Sequence, residues 1–134
     1  MAVRILAIDD EIDVLHLLEI KLTKAGFEVF TASDGEAGVA LALAEKPDLM
    51  VVDVMMPKMD GHQVLAAVKS ELGDAAPISI LLTALGQDTD VIKGLGAGAD
   101  DYIIKPFSPR ELIERIRVAL IKKGKPSSDP SPAE

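Results

Sequence analysis

The chain has 134 residues, enough for one domain with a single sizeable core. Its net charge of -8 argues against nucleic acid as a direct ligand, because phosphate binding requires a basic surface. The absence of cysteine excludes disulfides, thiolate catalysis and thiolate metal sites, and it fits a reducing cytosol. No signal peptide or transmembrane span is recognisable, so a cytoplasmic protein without membrane contact is expected.

The first part of the chain predicts two strand-helix units. An apolar run from Val3 to Ile8 ends in the acids Asp9-Asp10-Glu11, and a helix follows that ends near Gly26. The apolar residues that recur at helical spacing in this helix are Ile12, Leu15, Leu18 and Leu22. A second strand is predicted from Phe27 to Ala32, and a second helix follows the turn Ser33-Asp34-Gly35. Its predicted packing face consists of the small or apolar residues Ala37, Ala40, Leu41 and Ala44.

The third predicted strand is the central one. An almost unbroken apolar run lies between Pro47 and Pro57, too short for an independent helix and typical of a strand buried on both faces. Asp53 stands at the carboxyl end of this run, where open parallel sheets have their ligand crevice. Taken alone, Asp53 could equally be a strand-ending residue that caps a turn.

Two further strands are predicted in the second part of the chain. A helix with Val64, Leu65, Val68 and Leu72 is broken at Gly73 to Pro77, and a strand from Ile78 to Leu82 leads to Thr83-Ala84. A glycine-containing helix is then predicted from Val91 to Leu95.

The fifth strand is predicted from Asp101 to Ile104 and is followed by Lys105-Pro106. Ser108 caps the last helix, whose inner face carries Leu112, Ile113, Ile116 and Leu120. Residues 1–122 are therefore predicted to form the domain. Residues 123–134, rich in proline and serine, are predicted to be a flexible tail or the start of a linker.

Five apolar strands alternating with five helices predict an α/β fold with a doubly wound, flavodoxin-like parallel sheet in the order 2-1-3-4-5. In this order the first and third strands are neighbours. Asp9, Asp10 and Asp53 then converge at one edge of the sheet, where Thr83 and Lys105 arrive from the fourth and fifth strands.

These five groups together predict a site for phosphoryl chemistry. Three neighbouring carboxylates repel one another and call for a cation, and ligands that are all oxygen favour Mg²⁺ over Ca²⁺ or Zn²⁺. Lys105 and Thr83 add an ammonium and a hydroxyl, with Asp53 between them as the nucleophile. Individually, Asp10 and Thr83 could be helix caps and Lys105 a strand end whose ammonium reaches solvent.

One set of motifs resembles the receiver domain of two-component response regulators over about residues 3 to 121. The motifs are Asp9-Asp10, Asp53 with Met56-Pro57-Lys58-Met59-Asp60-Gly61, Thr83-Ala84 and Lys105-Pro106-Phe107. The resemblance implies a phosphorylation-dependent signalling switch, not a turnover enzyme, in which Asp53 accepts a phosphoryl group from a sensor histidine kinase.

The resemblance also implies a role for each site residue. Mg²⁺ or Mn²⁺ would be held by Asp10, Asp53 and the backbone carbonyl of Met55, with Asp9 acting through water. Lys105, Thr83 and the backbone N–H of Ala84 would contact the phosphoryl oxygens, and Lys105-Pro106 would be a cis peptide. The apolar residues Met55 and Leu85 imply slow hydrolysis.

A relay to an output partner or DNA-binding domain is implied as well. Tyr102 would turn inward as Thr83 moves, reshaping the face made by the fourth helix, the fifth strand and the last helix. The segment from Gly98 to Leu112 is most similar to receivers of winged-helix transcription regulators, which dimerise through that face. Asp101, Glu111 and Arg115 match the expected charges, but Val91 and Gly96 do not, so a homodimer stays an open alternative.

Rival interpretations fit less well. The glycines from Gly94 to Gly98 lack dinucleotide-binding spacing, the acids after the first strand would repel a flavin phosphate, and Met55 replaces the second acid of haloacid dehalogenase phosphatases. His16 and His62 are interpreted as surface helix residues. A receiver-shaped scaffold that binds partners independently of phosphate remains the alternative.

Overall fold

The computed structural model describes residues 2–84 and 98–124. These residues form five strands, four α-helices and one short 3-10 turn, Gly73–Ala75. In chain order the elements are β1 (Arg4–Ile8), α1 (Ile12–Lys24), β2 (Glu28–Ala32), α2 (Gly35–Glu45), β3 (Leu49–Asp53), α3 (Gly61–Leu72), β4 (Ile78–Ala84), β5 (Asp101–Lys105) and α4 (Pro109–Lys122).

The strands form one parallel sheet in the order β2-β1-β3-β4-β5, which confirms the predicted order. β4 continues to Ala84 and β5 to Lys105, so Thr83 and Lys105 lie within strands instead of after them. The predicted helix from Val91 to Leu95 lies outside the described residues, as do Leu85, Gly96 and residues 125–134 of the predicted tail.

Helices cover both faces of the sheet, as a doubly wound fold requires. Side chains alternate along a strand, so one set faces α1 and α4 while the other faces α2 and α3. In β1, Ile5 and Ala7 belong to the first apolar cluster, and Leu6 and Ile8 belong to the second. The near-continuous burial of β1, β3 and β4 follows from this two-sided cover.

The predicted packing face of α2 is wrong. Ala37, Ala40 and Ala44 are exposed and Leu41 is half-buried, whereas the buried residues are Gly35, Gly38 and Ala42. A methyl group at Gly38 would collide with the side chain of Ile8. The helix therefore approaches β1 most closely at its smallest residues, Gly38 and Ala42, and not at the predicted alanines.

Helix α1 buries three of its four predicted apolar residues. Leu15, Leu18 and Leu22 are buried, but Ile12 is 55% exposed. Ile12 is the first residue of α1, and only residues further along the helix lie over the apolar strands. Within residues 2–84 and 98–124, none of the helices has the length and hydrophobicity needed to cross a bilayer.

Candidate functional site

Three charged side chains reach the same side of one sheet edge through the alternation of their strands. Asp9 follows β1, Asp53 ends β3, and Lys105 ends β5. Two residues before each of them stands a buried apolar residue of the cluster that packs against α1 and α4. Because side chains of alternate residues share a face, the three charged groups continue that apolar face to the carboxyl edge of the sheet.

The ammonium of Lys105 is shared by three carboxylates. Its Nζ lies 3.1 Å from Asp9 Oδ2, 3.1 Å from Glu11 Oε1 and 3.3 Å from Asp53 Oδ1. The Lys105 side chain is 20% exposed, and the Asp9 side chain is fully buried. One cation therefore compensates charge on acids from two strands and from the loop that begins α1.

The backbone around Asp53 is fixed by the start of α3. The Gly61 N–H donates to the Val54 carbonyl at 3.0 Å, and a Cβ at Gly61 would lie only 2.6 Å from the Asp53 carbonyl oxygen. Asp60 and Gln63 form a reciprocal capping box that begins the helix here. A glycine is therefore required where α3 meets the end of β3.

Asp9, Asp10 and Asp53 are close enough to share a metal ion. Each offers a carboxylate oxygen, and these oxygens all lie within 4.8 Å of one another. Asp9 is oriented by the Glu11 N–H, which donates to Asp9 Oδ1 at 2.9 Å, while Asp10 is exposed. An all-oxygen donor set with a solvent-facing member suits a hard, partly hydrated cation.

The crowding changes the acidity of both central groups. Burial, together with the charge of Asp9, raises the pKa of Asp53 to about 7, although Lys105 and the Met55 N–H act in the opposite direction. Burial disfavours the Lys105 ammonium, but the charge of Asp53 and the hydrogen bonds to Asp9 and Glu11 outweigh it and raise the Lys105 pKa. The ammonium therefore stays charged at neutral pH.

Thr83 and Ala84 lie at the same edge of the sheet. Thr83 is buried in β4, next to β3, where Asp53 pairs with Leu82. Ala84 ends β4 and is exposed. The structure thus brings Asp9 and Asp53 into contact with Lys105, places Asp10 within 4.8 Å of both acids, and places Thr83 on the strand next to β3.

Comparison with known proteins gives the family. The sequence model of the response regulator receiver domain matches residues 5–117. This chain belongs to that family.

The chain is similar in sequence to curated transcriptional regulators. The chain is 48% identical over 124 residues to the probable transcriptional regulator ycf27 of Cyanophora paradoxa, covering 92% of this chain and 51% of the relative. It is 45% identical over 117 residues to the alkaline phosphatase synthesis transcriptional regulatory protein PhoP of Bacillus subtilis, covering 87% of this chain and 48% of the relative. The chain therefore spans about half the length of these curated relatives.

A solved structure of a putative response regulator from Chloroflexus aurantiacus superposes with a TM-score of 0.83 at 34% identity. The match covers 90% of this chain and 99% of the other. The receiver fold thus accounts for nearly all of the described residues.

In this receiver domain, Tyr102 lies on the same face of the sheet as Thr83. Tyr102 is half-buried in β5 and pairs in register with Leu81, two residues before Thr83. The peptide bond between Lys105 and Pro106 is cis. The relay between Thr83 and Tyr102 stays a prediction.

The charged residues expected at a dimer face are engaged within the receiver domain itself. Arg115 Nη1 lies 2.9 and 3.0 Å from the two carboxylate oxygens of Asp101, and Arg115 Nη2 lies 3.9 Å from Glu111. Val91 and Gly96 lie outside the described residues.

The two histidines differ in their surroundings. His16 is exposed on α1, as predicted, but His62 in α3 is half-buried and both of its ring nitrogens are shielded from solvent. The prediction that His62 is a surface residue is therefore wrong.

Sequence reasoning missed the contact between Glu11 and Lys105. In the sequence, Glu11 stands out only as the last residue of the acidic run after the first strand. Its position next to two site acids was the available signal, but the bond to Lys105 depends on how β5 is placed across the sheet edge.

Proposed function

We propose that this receiver domain is a phosphorylation-dependent switch in which Asp53 accepts a phosphoryl group from a sensor histidine kinase. The observation that carries the proposal is the contact of buried Asp53 with Lys105 inside a cluster of three acids. In the transfer, the P–N bond of a phosphohistidine breaks and a P–O bond forms to a carboxylate oxygen of Asp53.

We further propose that the acids hold Mg²⁺ or Mn²⁺ through Asp10, Asp53 and the backbone carbonyl of Met55, with Asp9 acting through water. The donor set fits such an ion, because the three carboxylates supply oxygen ligands within 4.8 Å of one another. When bound, the ion would neutralise the acids and stabilise charge on a transferring phosphoryl group.

Lys105, Thr83 and the backbone N–H of Ala84 are proposed to contact the phosphoryl oxygens. Lys105 is the best supported, because its ammonium already lies 3.3 Å from Asp53. Slow hydrolysis is proposed from the apolar nature of Met55 and Leu85. Movement of Thr83 would then be transmitted to Tyr102 and to the outer face of β5 and α4.

The output is proposed to be a partner or a DNA-binding domain, without direct nucleic acid contact by residues 1–122. Two relatives are named as transcriptional regulators, and the chain matches about half of each. Residues 123–134 would be a flexible tail or the start of a linker. A cytoplasmic location and a homodimer through the face containing β5 and α4 are parts of the same proposal.

Incubation with acetyl phosphate and Mg²⁺ tests the proposal. Intact-mass measurement should show a gain of one phosphoryl group on the wild-type protein and none on Asp53→Asn. Asp60→Asn is the matched control, since asparagine also caps helices and Asp60 accepts from Gln63 at the start of α3. It should be phosphorylated normally.

A wild-type protein that gains no mass with Mg²⁺, or an Asp53→Asn variant that gains as much as wild type, would contradict the proposal. The first result would favour the phosphate-independent scaffold.

A further inference from the structure

The Glu11 side chain contacts Lys105 and not the helix it precedes. Glu11 is the N-cap residue immediately before α1, yet its side chain makes no capping hydrogen bond to the first turn. Its Oε1 instead lies 3.1 Å from Lys105 Nζ, across the sheet edge. The side chain therefore bonds to a distant strand and does not cap its own helix.

Glu11 takes up one of the three N–H donors of the Lys105 ammonium, and Asp9 takes up another. A lysine ammonium has three N–H donors, and Lys105 has three carboxylate partners at 3.1, 3.1 and 3.3 Å. A phosphoryl group on Asp53 can take over the donor that faces Asp53, but a second contact between Lys105 and the phosphoryl oxygens requires Lys105 to release Asp9 or Glu11.

Glu11 is the partner whose release costs least. Asp9 is fully buried, so losing Lys105 would leave an uncompensated charge away from water. Glu11 is 62% exposed, so its released carboxylate is hydrated at once. The third partner, Asp53, itself carries the phosphoryl group in the proposed reaction.

We propose that Glu11 is a positioning residue that holds Lys105 in the unphosphorylated protein and releases it when Asp53 carries a phosphoryl group. This inference rests on the proposed function of Asp53 and Lys105. Glu11 competes with the phosphoryl oxygen for one N–H of Lys105. The contact between Lys105 and the phosphoryl group is therefore weaker than it would be without Glu11.

Titration with beryllofluoride, a tetrahedral phosphoryl analogue, at saturating Mg²⁺ tests the inference. Glu11→Gln should bind the analogue about two- to five-fold more tightly than wild type, the range expected for loss of an exposed ion pair. Glu19→Gln removes the same charge from the exposed side of α1 and should bind like wild type.

A double-mutant cycle separates the contact from the charge of Glu11. In a Lys105→Met background, replacing Glu11 by Gln should give a much smaller gain, because no ammonium is left to compete for. An equal gain in both backgrounds would show that Glu11 acts by charge alone and would overturn the positioning role.

Urea unfolding of the same four metal-free proteins gives a measurement that does not need the analogue. A favourable coupling between Glu11 and Lys105 supports the contact, and a coupling of zero overturns it. A wild-type protein that binds no beryllofluoride and gains no phosphoryl group contradicts the proposed function itself. Normal wild-type binding with no change in Glu11→Gln overturns only the role of Glu11.

Discussion

Aspartates lie at both ends of the strands of the parallel sheet, and their bonding partners differ between the two ends. At the amino ends, Asp48 and Asp100 immediately precede β3 and β5. The Asp48 carboxylate accepts a hydrogen bond from the Arg4 N–H at 2.9 Å, and the Asp48 N–H donates to the Arg4 carbonyl at 2.8 Å. Asp100 makes the same exchange with Ser79, at 2.9 Å in both directions. Each acid there is satisfied by the backbone of the neighbouring strand.

At the carboxyl ends, the acids crowd instead of dispersing. Asp9, Asp10 and Asp53 lie within 4.8 Å of one another, and the ammonium of Lys105 contacts two of them. Residue type therefore does not separate a structural aspartate from a functional one. The separation comes from the ratio of acids to donors around them, and each of the following experiments changes that ratio at one end.

The largest expected effect is a pH dependence at the crowded end. Burial and the charge of Asp9 raise the pKa of Asp53 to about 7 in the folded protein, from an ordinary value of 3.8. As pH rises between these values, the unfolded chain loses the Asp53 proton while the folded protein keeps it, so stability falls. Above about pH 7 this contribution is fully lost. The stability advantage of metal-free Asp53→Asn over wild type should grow by about 4 kcal/mol across this window.

Urea unfolding at several pH values in a metal chelator measures this difference. Asp48→Asn, at the other end of the sheet, is the control over the same pH range. An advantage of Asp53→Asn that does not change with pH would contradict a raised Asp53 pKa.

Removal of the Lys105 ammonium should have the next largest effect on the free energy of unfolding. Lys105→Met leaves buried carboxylates without their ammonium and should lower the free energy of unfolding by about 3 kcal/mol without metal. The matched change at the amino end is Lys123→Met, since Lys123 is 53% exposed and pairs with Asp100 at 3.1 Å. It should cost less than about 1 kcal/mol. Equal losses in the two variants would show that the two ends do not differ.

Asp48→Ala tests the structural role of the aspartates at the amino ends of the strands. The Arg4 N–H loses its acceptor, and the free energy of unfolding should fall by about 1–3 kcal/mol. The loss should be the same with and without Mg²⁺, because Asp48 lies at the opposite end of the strands from the metal-binding candidates. A loss that Mg²⁺ removes would contradict the structural role.

Asp10→Asn should have the smallest effect on the free energy of unfolding. It should raise this free energy, whereas Lys105→Met and Asp48→Ala lower it. Removing one of three mutually repelling acids should stabilise the metal-free protein by about 1 kcal/mol or less. The same change should reduce the rise in melting temperature that Mg²⁺ produces in the wild-type protein. Thermal unfolding with and without Mg²⁺ measures both, and two unchanged responses would argue against a metal site.

The sheet and the convergence of the site acids were predictable because they depend on local patterns. Apolar runs of strand length fixed the five strands, and their alternation with helices fixed a parallel sheet with neighbouring first and third strands. Asp9, Asp53 and Lys105 all stand at the carboxyl ends of such runs, so the topology was sufficient to bring them together.

The features that were missed depend on shape or on distant contacts. Apolar character alone does not reveal the packing face of α2, because Gly38 is buried for lack of a side chain. The bond between Glu11 and Lys105 joins residues 94 positions apart, and no local pattern records it. Asp48 and Asp100 likewise resemble ordinary turn residues until the neighbouring strand supplies the donor.

The close approach of Gly61 to the end of β3 leaves no space for a side chain between α3 and the backbone of Asp53. The backbone of Asp53 already lies against the start of α3, so the phosphoryl group that we propose for Asp53 would have to be accommodated away from α3. Adjustment then falls to the long, rotatable side chains opposite, and Lys105 with its exchangeable partners is the one best built to provide it.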